Sequence, residues 1–233
     1  MKEPTTAVFA LHVASRLFIL ASAVDAALAG RMNAAAQCLL AGLLLTLPGI
    51  LRRRLSVMLP GTLEALIILF LFASAYLGEI RDCYEQFPLW DTALHTLAGF
   101  LLAAIGLSIG GAQEARAPEF ALFFAFCFSM TGGVVWEFWE FAADTLFHLD
   151  MQKDVFLHGF TSMKLGGGYI PVETVSLNGE PLPGWLDIGL YDTMKDLIAG
   201  AVGALTFGIF ARMYLTRRAA FWVKQLLPRR CAR

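Results

Sequence analysis

Long apolar runs recur along the sequence, and each is long enough to cross the ~30 Å hydrocarbon core of a bilayer as an α-helix. Hydrophobic residues make up 58% of the chain and charged residues only 16%, a balance outside the usual range of soluble domains. We therefore expect an all-α membrane protein, a polytopic bundle of about six transmembrane helices. The expected spans lie at about residues 7–29, 34–51, 57–78, 89–110, 119–147 and 189–214.

These spans account for most of the chain, so we expect one transmembrane domain, residues 1–215, followed by a basic tail, residues 216–233. The loop at 148–188 is the one sizeable connection, and it is either a lid over a site or a passive connector. Within it, Asn178-Gly179 is flanked by alternating β-forming residues, which predicts a short β-hairpin. The tail predicts either a positive-inside anchor or an interfacial helix on anionic lipid.

The distribution of Lys and Arg between the loops predicts the orientation of the bundle. The loop at 148–188 and the others on its side are mainly acidic. By the positive-inside rule we expect a bacterial inner-membrane protein with both termini in the cytoplasm. The lipid bilayer is then the expected partner, and no nucleic acid is expected. The basic residues on the opposite side are Arg52, Arg53, Arg54, Arg116, Arg217, Arg218, Lys224, Arg229, Arg230 and Arg233.

Two carboxylates, Glu137 and Glu140, interrupt the apolar helix expected at 119–147. At 1.5 Å per residue they lie about 27 Å and about 32 Å along the span, near its outer end. Spacings of three and four residues align them with Asp144 on one face of the helix. Negative charge is unfavourable near a helix C-terminus and costly within a membrane, so these residues indicate a function.

Two other spans carry polar pairs at the same level. Asp91 and His95 are four residues apart in LWDTALHTLAGF, and Asp192 and Asp196 have the same spacing in LYDTMKDLIAG. Taken singly, an aspartate near a helix start is explained by capping, and a lone histidine is commonly a packing residue. Taken together, five carboxylates and one imidazole at one depth repel each other unless some are protonated or a cation binds.

A metal centre is the interpretation that explains the three pairs together. Carboxylate oxygens with one imidazole suit Mn²⁺, Fe²⁺, Zn²⁺ or Mg²⁺ better than copper. Glu137 and Glu140 are also the candidates for a catalytic role, while Asp25, Asp144 and His148 are further candidates at the same level. The expected ligands of this divalent metal ion are Asp91, His95, Glu137, Glu140, Asp192 and Asp196.

Three motifs together resemble those of a known family. WDTALHTLAGF, WEFWEF and YDTMKDLIAGAVGAL are similar to the Asp-x-x-x-His-x-x-x-Gly-Phe, Glu-x-x-Glu and Asp-Thr-x-x-Asp-x-x-x-x-x-x-Gly-Ala patterns of YjdF-like bacterial inner-membrane proteins. Order and approximate spacing agree over residues 88–205. The resemblance implies a polytopic inner-membrane protein and supplies no reaction. The matching residues are Asp91, His95, Gly99, Glu137, Glu140, Asp192 and Asp196.

Three functions fit this pattern. The first is a metal-dependent membrane enzyme whose site opens to the periplasm and acts on a lipid-linked or otherwise apolar substrate. The second is a metal-ion or proton-coupled transporter, which needs polar residues continuing across the membrane. The opposite half of the bundle offers only His12, Arg16 and Glu64, and Arg16 is expected to pair with Glu64. The third is a non-catalytic membrane interaction protein.

Overall fold

The computed structural model describes residues 6–46, 57–58, 60–110, 118–217 and 219–230. Helices make up most of this part of the chain, and short strands occur mainly between the last two of them. The six main helices are α1 (Thr6–Leu28), α2 (Met32–Leu44), α3 (Gly61–Phe72), α4 (Trp90–Ile109), α5 (Pro118–Phe147) and α6 (Leu190–Arg217).

Within the described ranges, five helices are long and apolar enough to cross a membrane: α1, α3 with its extension, α4, α5 and α6. This confirms the all-α, polytopic membrane fold. The remaining helix, α2, has 13 residues, which corresponds to about 20 Å and is shorter than the ~30 Å apolar core. It covers the first part of the span expected at 34–51, and residues 47–51 lie outside the described ranges.

The third span begins later than the sequence predicts. Val57–Met58 forms strand β1, which pairs antiparallel with strand β8, Arg229–Arg230. Pro60 follows in an extended conformation, and α3 begins at Gly61. Proline suits this position because it has no N–H to leave unsatisfied in the first turn of a helix. The span continues beyond α3 as a π-helix, Ala73–Ile80, which is followed by a one-turn helix, Cys83–Gln86.

Contacts divide the chain into two compact units, residues 1–133 with 198–233, and residues 134–197. The first unit contains the larger hydrophobic core, in which Leu63 of α3 and Leu107 of α4 are fully buried. Phe207 of α6 is also fully buried there, and its ring contacts Phe100 edge-on at a centroid distance of 5.2 Å.

Glycines let α4 and α6 approach closely within the first unit. A Cβ atom on Gly99 would lie 2.1 Å from the carbonyl oxygen of Gly200. A Cβ atom on Gly203 would lie 1.9 Å from the carbonyl oxygen of Thr96. Both distances are far below a van der Waals contact, so only glycine permits this backbone contact. The register between the two helices is therefore fixed around these residues.

Polar side chains link the first three helices. His12 Nε2 of α1 lies 2.5 Å from Glu64 Oε1 of α3, and Glu64 is only 3% exposed. Arg16, which the sequence predicts to pair with Glu64, donates from Nη2 to the carbonyl oxygen of Leu45 at 2.9 Å. Leu45 follows the last residue of α2. Because α2 is short, its last carbonyl groups need a donor within the apolar region, and Arg16 supplies one.

The described part of the C-terminal segment contains a short helical element and apolar side chains in contact with the first unit. It forms a five-residue 3₁₀ helix, Phe221–Gln225. Val223, Leu226 and Leu227 are buried in the core of the first unit, and the Trp222 ring is parallel to that of Phe100. Ala220, which precedes this helix, has a φ of 56°, in the left-handed region.

The loop of the second unit contains three antiparallel strand pairs. Asn178 and Gly179 connect β5 (Val175–Leu177) to β6 (Glu180–Leu182) with φ values of 53° and 93°. Positive φ at both positions is the geometry that a tight hairpin turn requires, so the hairpin predicted here is confirmed. The pairs are β2 (Val155–Leu157) with β7 (Trp185–Asp187), β3 (Gly159–Thr161) with β4 (Tyr169–Pro171), and β5 (Val175–Leu177) with β6 (Glu180–Leu182).

Candidate metal centre

Asp91 and His95 occupy neighbouring turns of α4, close to its N-terminal end. Asp91 lies in the first turn, where the helix dipole favours a carboxylate. The four-residue spacing places both side chains on one face, and His95 Nε2 lies 3.5 Å from Asp91 Oδ1. Side-chain exposure is 17% for His95 and 21% for Asp91. The pair therefore presents one nitrogen and one carboxylate oxygen in a partly buried position.

Asp196 lies two turns into α6 and is only 1% exposed. Burial of a carboxylate in an apolar helix is costly unless a positive charge or hydrogen-bond donors compensate for the lost water. The Lys195 ammonium group lies 3.8 Å from Asp196 Oδ1, beyond ordinary hydrogen-bond length. Asp196 therefore has a positive charge nearby, but Lys195 does not form an ordinary hydrogen bond with its Oδ1.

The ligand atoms of Asp91, His95 and Asp196 all lie within 4.8 Å of one another. Gly99 and Gly200 are in backbone contact, and each follows a member of the group by four residues on the same helix, Gly99 after His95 and Gly200 after Asp196. Among the described residues, no other set of three or more His, Cys, Asp or Glu side chains meets this criterion.

Asp192, another of the predicted ligands, uses both carboxylate oxygens in contacts with protein. Its Oδ1 lies 2.7 Å from Lys195 Nζ, and its Oδ2 accepts the backbone N–H of Lys153 at 3.0 Å. Asp144 acts similarly, since it accepts the backbone N–H groups of Met151 and Gln152 at 2.7 Å and 2.9 Å. These two aspartates therefore anchor the beginning of the loop to the ends of α5 and α6.

Glu137 and Glu140 are buried on α5, with exposures of 4% and 7%. Glu140 Oε1 accepts a hydrogen bond from Trp136 Nε1 at 2.8 Å, one turn earlier on the helix. Neither glutamate belongs to the group formed by Asp91, His95 and Asp196. Burial of two carboxylates in a membrane-spanning helix is costly, which is the reason the sequence analysis gives for expecting a function here.

The remaining candidates from the sequence lie in different surroundings. The side chain of Asp25 is 75% exposed and lies 3.6 Å from Arg31 Nη2. His148 follows the last residue of α5 with a φ of 56°. Neither is part of the three-residue group.

Sequence reasoning missed the anchoring of the loop by Asp144 and Asp192. Both carboxylates bind backbone N–H groups, and every residue except proline carries such a group. No residue pattern in the loop therefore signals the partner. Sequence reasoning also missed the pair formed by His12 and Glu64. These residues are 52 positions apart, and only the helix packing shows that they are in contact.

The donor set suits a divalent ion. Two carboxylate oxygens and one imidazole nitrogen are ligands that Mn²⁺, Fe²⁺, Zn²⁺ and Mg²⁺ accept in proteins. With bonds of about 2.0–2.2 Å, two ligands on opposite sides of an ion are separated by roughly 4.0–4.4 Å. A group whose ligand atoms lie within 4.8 Å is thus close to the spacing that one ion requires.

Comparison with known proteins identified a family. The sequence model of a family described as "Predicted membrane protein (DUF2238)" matches residues 7–217. No curated protein and no solved structure matches the sequence at a significant level. The matched range contains all six main helices apart from the first residue of α1.

Proposed function

The chain belongs to the DUF2238 family of predicted membrane proteins, which agrees with the resemblance to YjdF-like proteins, and we propose that it is a metal-dependent membrane enzyme. In this proposal Asp91, His95 and Asp196 bind one divalent ion. From the distribution of Lys and Arg we infer a bacterial inner-membrane location, with both termini in the cytoplasm and the site facing the periplasm.

The observation that carries the proposal is the mutual distance of at most 4.8 Å between the ligand atoms of Asp91, His95 and Asp196. Two carboxylates at this separation repel each other strongly where the local dielectric constant is low. A divalent ion removes the repulsion and supplies the positive charge that Asp196 needs at 1% exposure. The Lys195 ammonium group is shared between Asp192 and Asp196.

The other predicted residues receive different roles. We assign Asp192 to positioning, because its two oxygens contact Lys195 and the backbone of Lys153. Glu137 and Glu140 remain the candidates for an additional ligand or a general base, since both are buried carboxylates on α5. A bound metal would polarise water and so provide a nucleophile at neutral pH.

The position of the centre favours a lipid-linked or apolar substrate. Asp91 lies in the first turn of α4, and Asp196 lies about 9 Å from the start of α6 at 1.5 Å per residue. These positions are near one end of two membrane-spanning helices, where the head group of a lipid meets the apolar core. A substrate held in the bilayer reaches this level by diffusing in the membrane plane.

Metal analysis of the purified protein tests the proposal. Wild type prepared without chelator is expected to contain about one equivalent of Mn, Fe, Zn or Mg, and His95→Ala and Asp196→Asn are expected to lose it, because each removes one of three ligands. His158→Ala is the matched control, since His158 lies in the loop between β2 and β3 and should leave the metal content unchanged. Metal-free wild type, or metal retained in both ligand variants, would sink the proposal.

The alternative is a metal-ion or proton-coupled transporter. The observation that favours it is the buried pair of His12 and Glu64, which provides polar groups in the half of α1 near the N-terminus. Uptake of Mn²⁺ or protons into proteoliposomes separates the two functions. A third function, a non-catalytic interaction protein, predicts neither bound metal nor uptake, with Lys195 compensating part of the negative charge.

A further inference from the structure

Lys195 lies beside two carboxylates on α6. Its Nζ is 2.7 Å from Asp192 Oδ1 and 3.8 Å from Asp196 Oδ1. Asp196 is one of the proposed metal ligands, whereas the second oxygen of Asp192 accepts the backbone N–H of Lys153 at 3.0 Å. One ammonium group therefore contacts both a metal ligand and an anchor of the loop.

The beginning of the loop is held at further points. Asp144 of α5 accepts the N–H groups of Met151 and Gln152, and Gln152 Nε2 lies 2.6 Å from Thr193 Oγ1 of α6. Asp192 is 2% exposed, so water does not readily replace its contacts. The strength of the bond to Lys153 therefore depends on how firmly the Asp192 carboxylate is held in its orientation.

We propose that Lys195 is a positioning residue that couples metal binding to the order of the loop, an inference that rests on the proposed metal centre. A divalent ion on Asp196 neutralises that carboxylate and repels the ammonium group, because charges a few ångströms apart interact strongly at low dielectric constant. Lys195 then interacts mainly with Asp192. The Asp192 carboxylate is held more firmly, and its bond to the Lys153 N–H becomes more persistent.

Hydrogen exchange of the full-length protein in lipid nanodiscs tests this coupling, with metal content measured on the same samples. In wild type, the amides of residues 151–153 should exchange about fivefold more slowly with Mn²⁺ than with EDTA, since a stabilised hydrogen bond opens less often. Lys195→Met removes the charge and should abolish the difference. Lys195→Arg keeps the charge and should preserve it.

Lys153→Ala is the matched control, because the bond to Asp192 uses the backbone N–H of this residue, and the difference should persist. Asp192→Asn provides a second test variant, which removes the ion pair while keeping an acceptor oxygen, and the difference should be lost.

If Mn²⁺ binds but exchange does not change, or if Lys195→Met keeps the difference, the coupling is wrong and the metal centre stands. If Mn²⁺ does not bind wild type, the metal centre itself is wrong.

Discussion

The buried carboxylates of this protein differ in what their oxygens contact. Glu64 meets the imidazole of His12, and Asp192 meets an ammonium group and a backbone N–H. Asp196 lies with Asp91 and His95, and the ligand atoms of the three are within 4.8 Å of one another. The polarity and spacing of the pairs were readable from the sequence, because residues four apart share a helix face. The group that each carboxylate oxygen contacts depends on helix packing and could not be read from the sequence.

The pair formed by His12 and Glu64 should contribute to stability. His12→Ala takes a hydrogen-bond partner from a carboxylate that is 3% exposed, and we expect a loss of about 1–3 kcal/mol in the free energy of unfolding. Asp25→Ala is the comparison, because the contact of Asp25 with Arg31 is exposed and should matter by less than about 1 kcal/mol. Unfolding followed by circular dichroism in detergent micelles measures both. Equal stability of the two variants would contradict a structural role for the pair.

At the level of helices, the apolar runs located the membrane-spanning elements well because hydrophobicity is what places a helix in lipid. Their ends were harder to predict. The third span begins at Gly61 and not at 57, because Val57–Met58 pairs with a strand from the far end of the chain. In one alternative the C-terminal apolar residues lie on lipid, and the structure places Leu226 and Leu227 in the core of the first unit. Long-range contacts decide both cases, and no local pattern reports them.

The close contact between α4 and α6 gives a sharp prediction. In Gly203→Ala the new methyl group would lie 1.9 Å from the Thr96 carbonyl oxygen, so the helices must separate, at a cost of about 1–3 kcal/mol. Gly208→Ala on the same helix is the control, since no atom lies within 4 Å of the added methyl group. It should leave stability unchanged or raise it by about 0.5–1 kcal/mol. Unfolding of both variants in mixed micelles checks this, and equal stability would refute the contact.

Across the whole molecule, a membrane bundle of the DUF2238 family carries three side chains, those of Asp91, His95 and Asp196, that could hold a metal ion. The fold class followed from the sequence because composition and run length alone separate a membrane bundle from a soluble domain. The sequence predicts a metal centre with six ligands, and the structure brings three of these residues together, with ligand atoms within 4.8 Å of one another. The other three, Glu137, Glu140 and Asp192, are buried carboxylates, as Asp196 is, and a sequence cannot tell which of several acidic residues in its spans come together.

Pulsed electron paramagnetic resonance of the Mn²⁺-loaded protein tests the central claim most directly. With ¹⁵N-labelled histidine in wild type, the account predicts a magnetic coupling between Mn²⁺ and one imidazole nitrogen, because His95 is the one histidine in the group. The coupling should disappear in His95→Gln and persist in the control His158→Gln. Mn²⁺ bound without any nitrogen coupling, or a coupling that survives in His95→Gln, would contradict the metal centre formed by Asp91, His95 and Asp196.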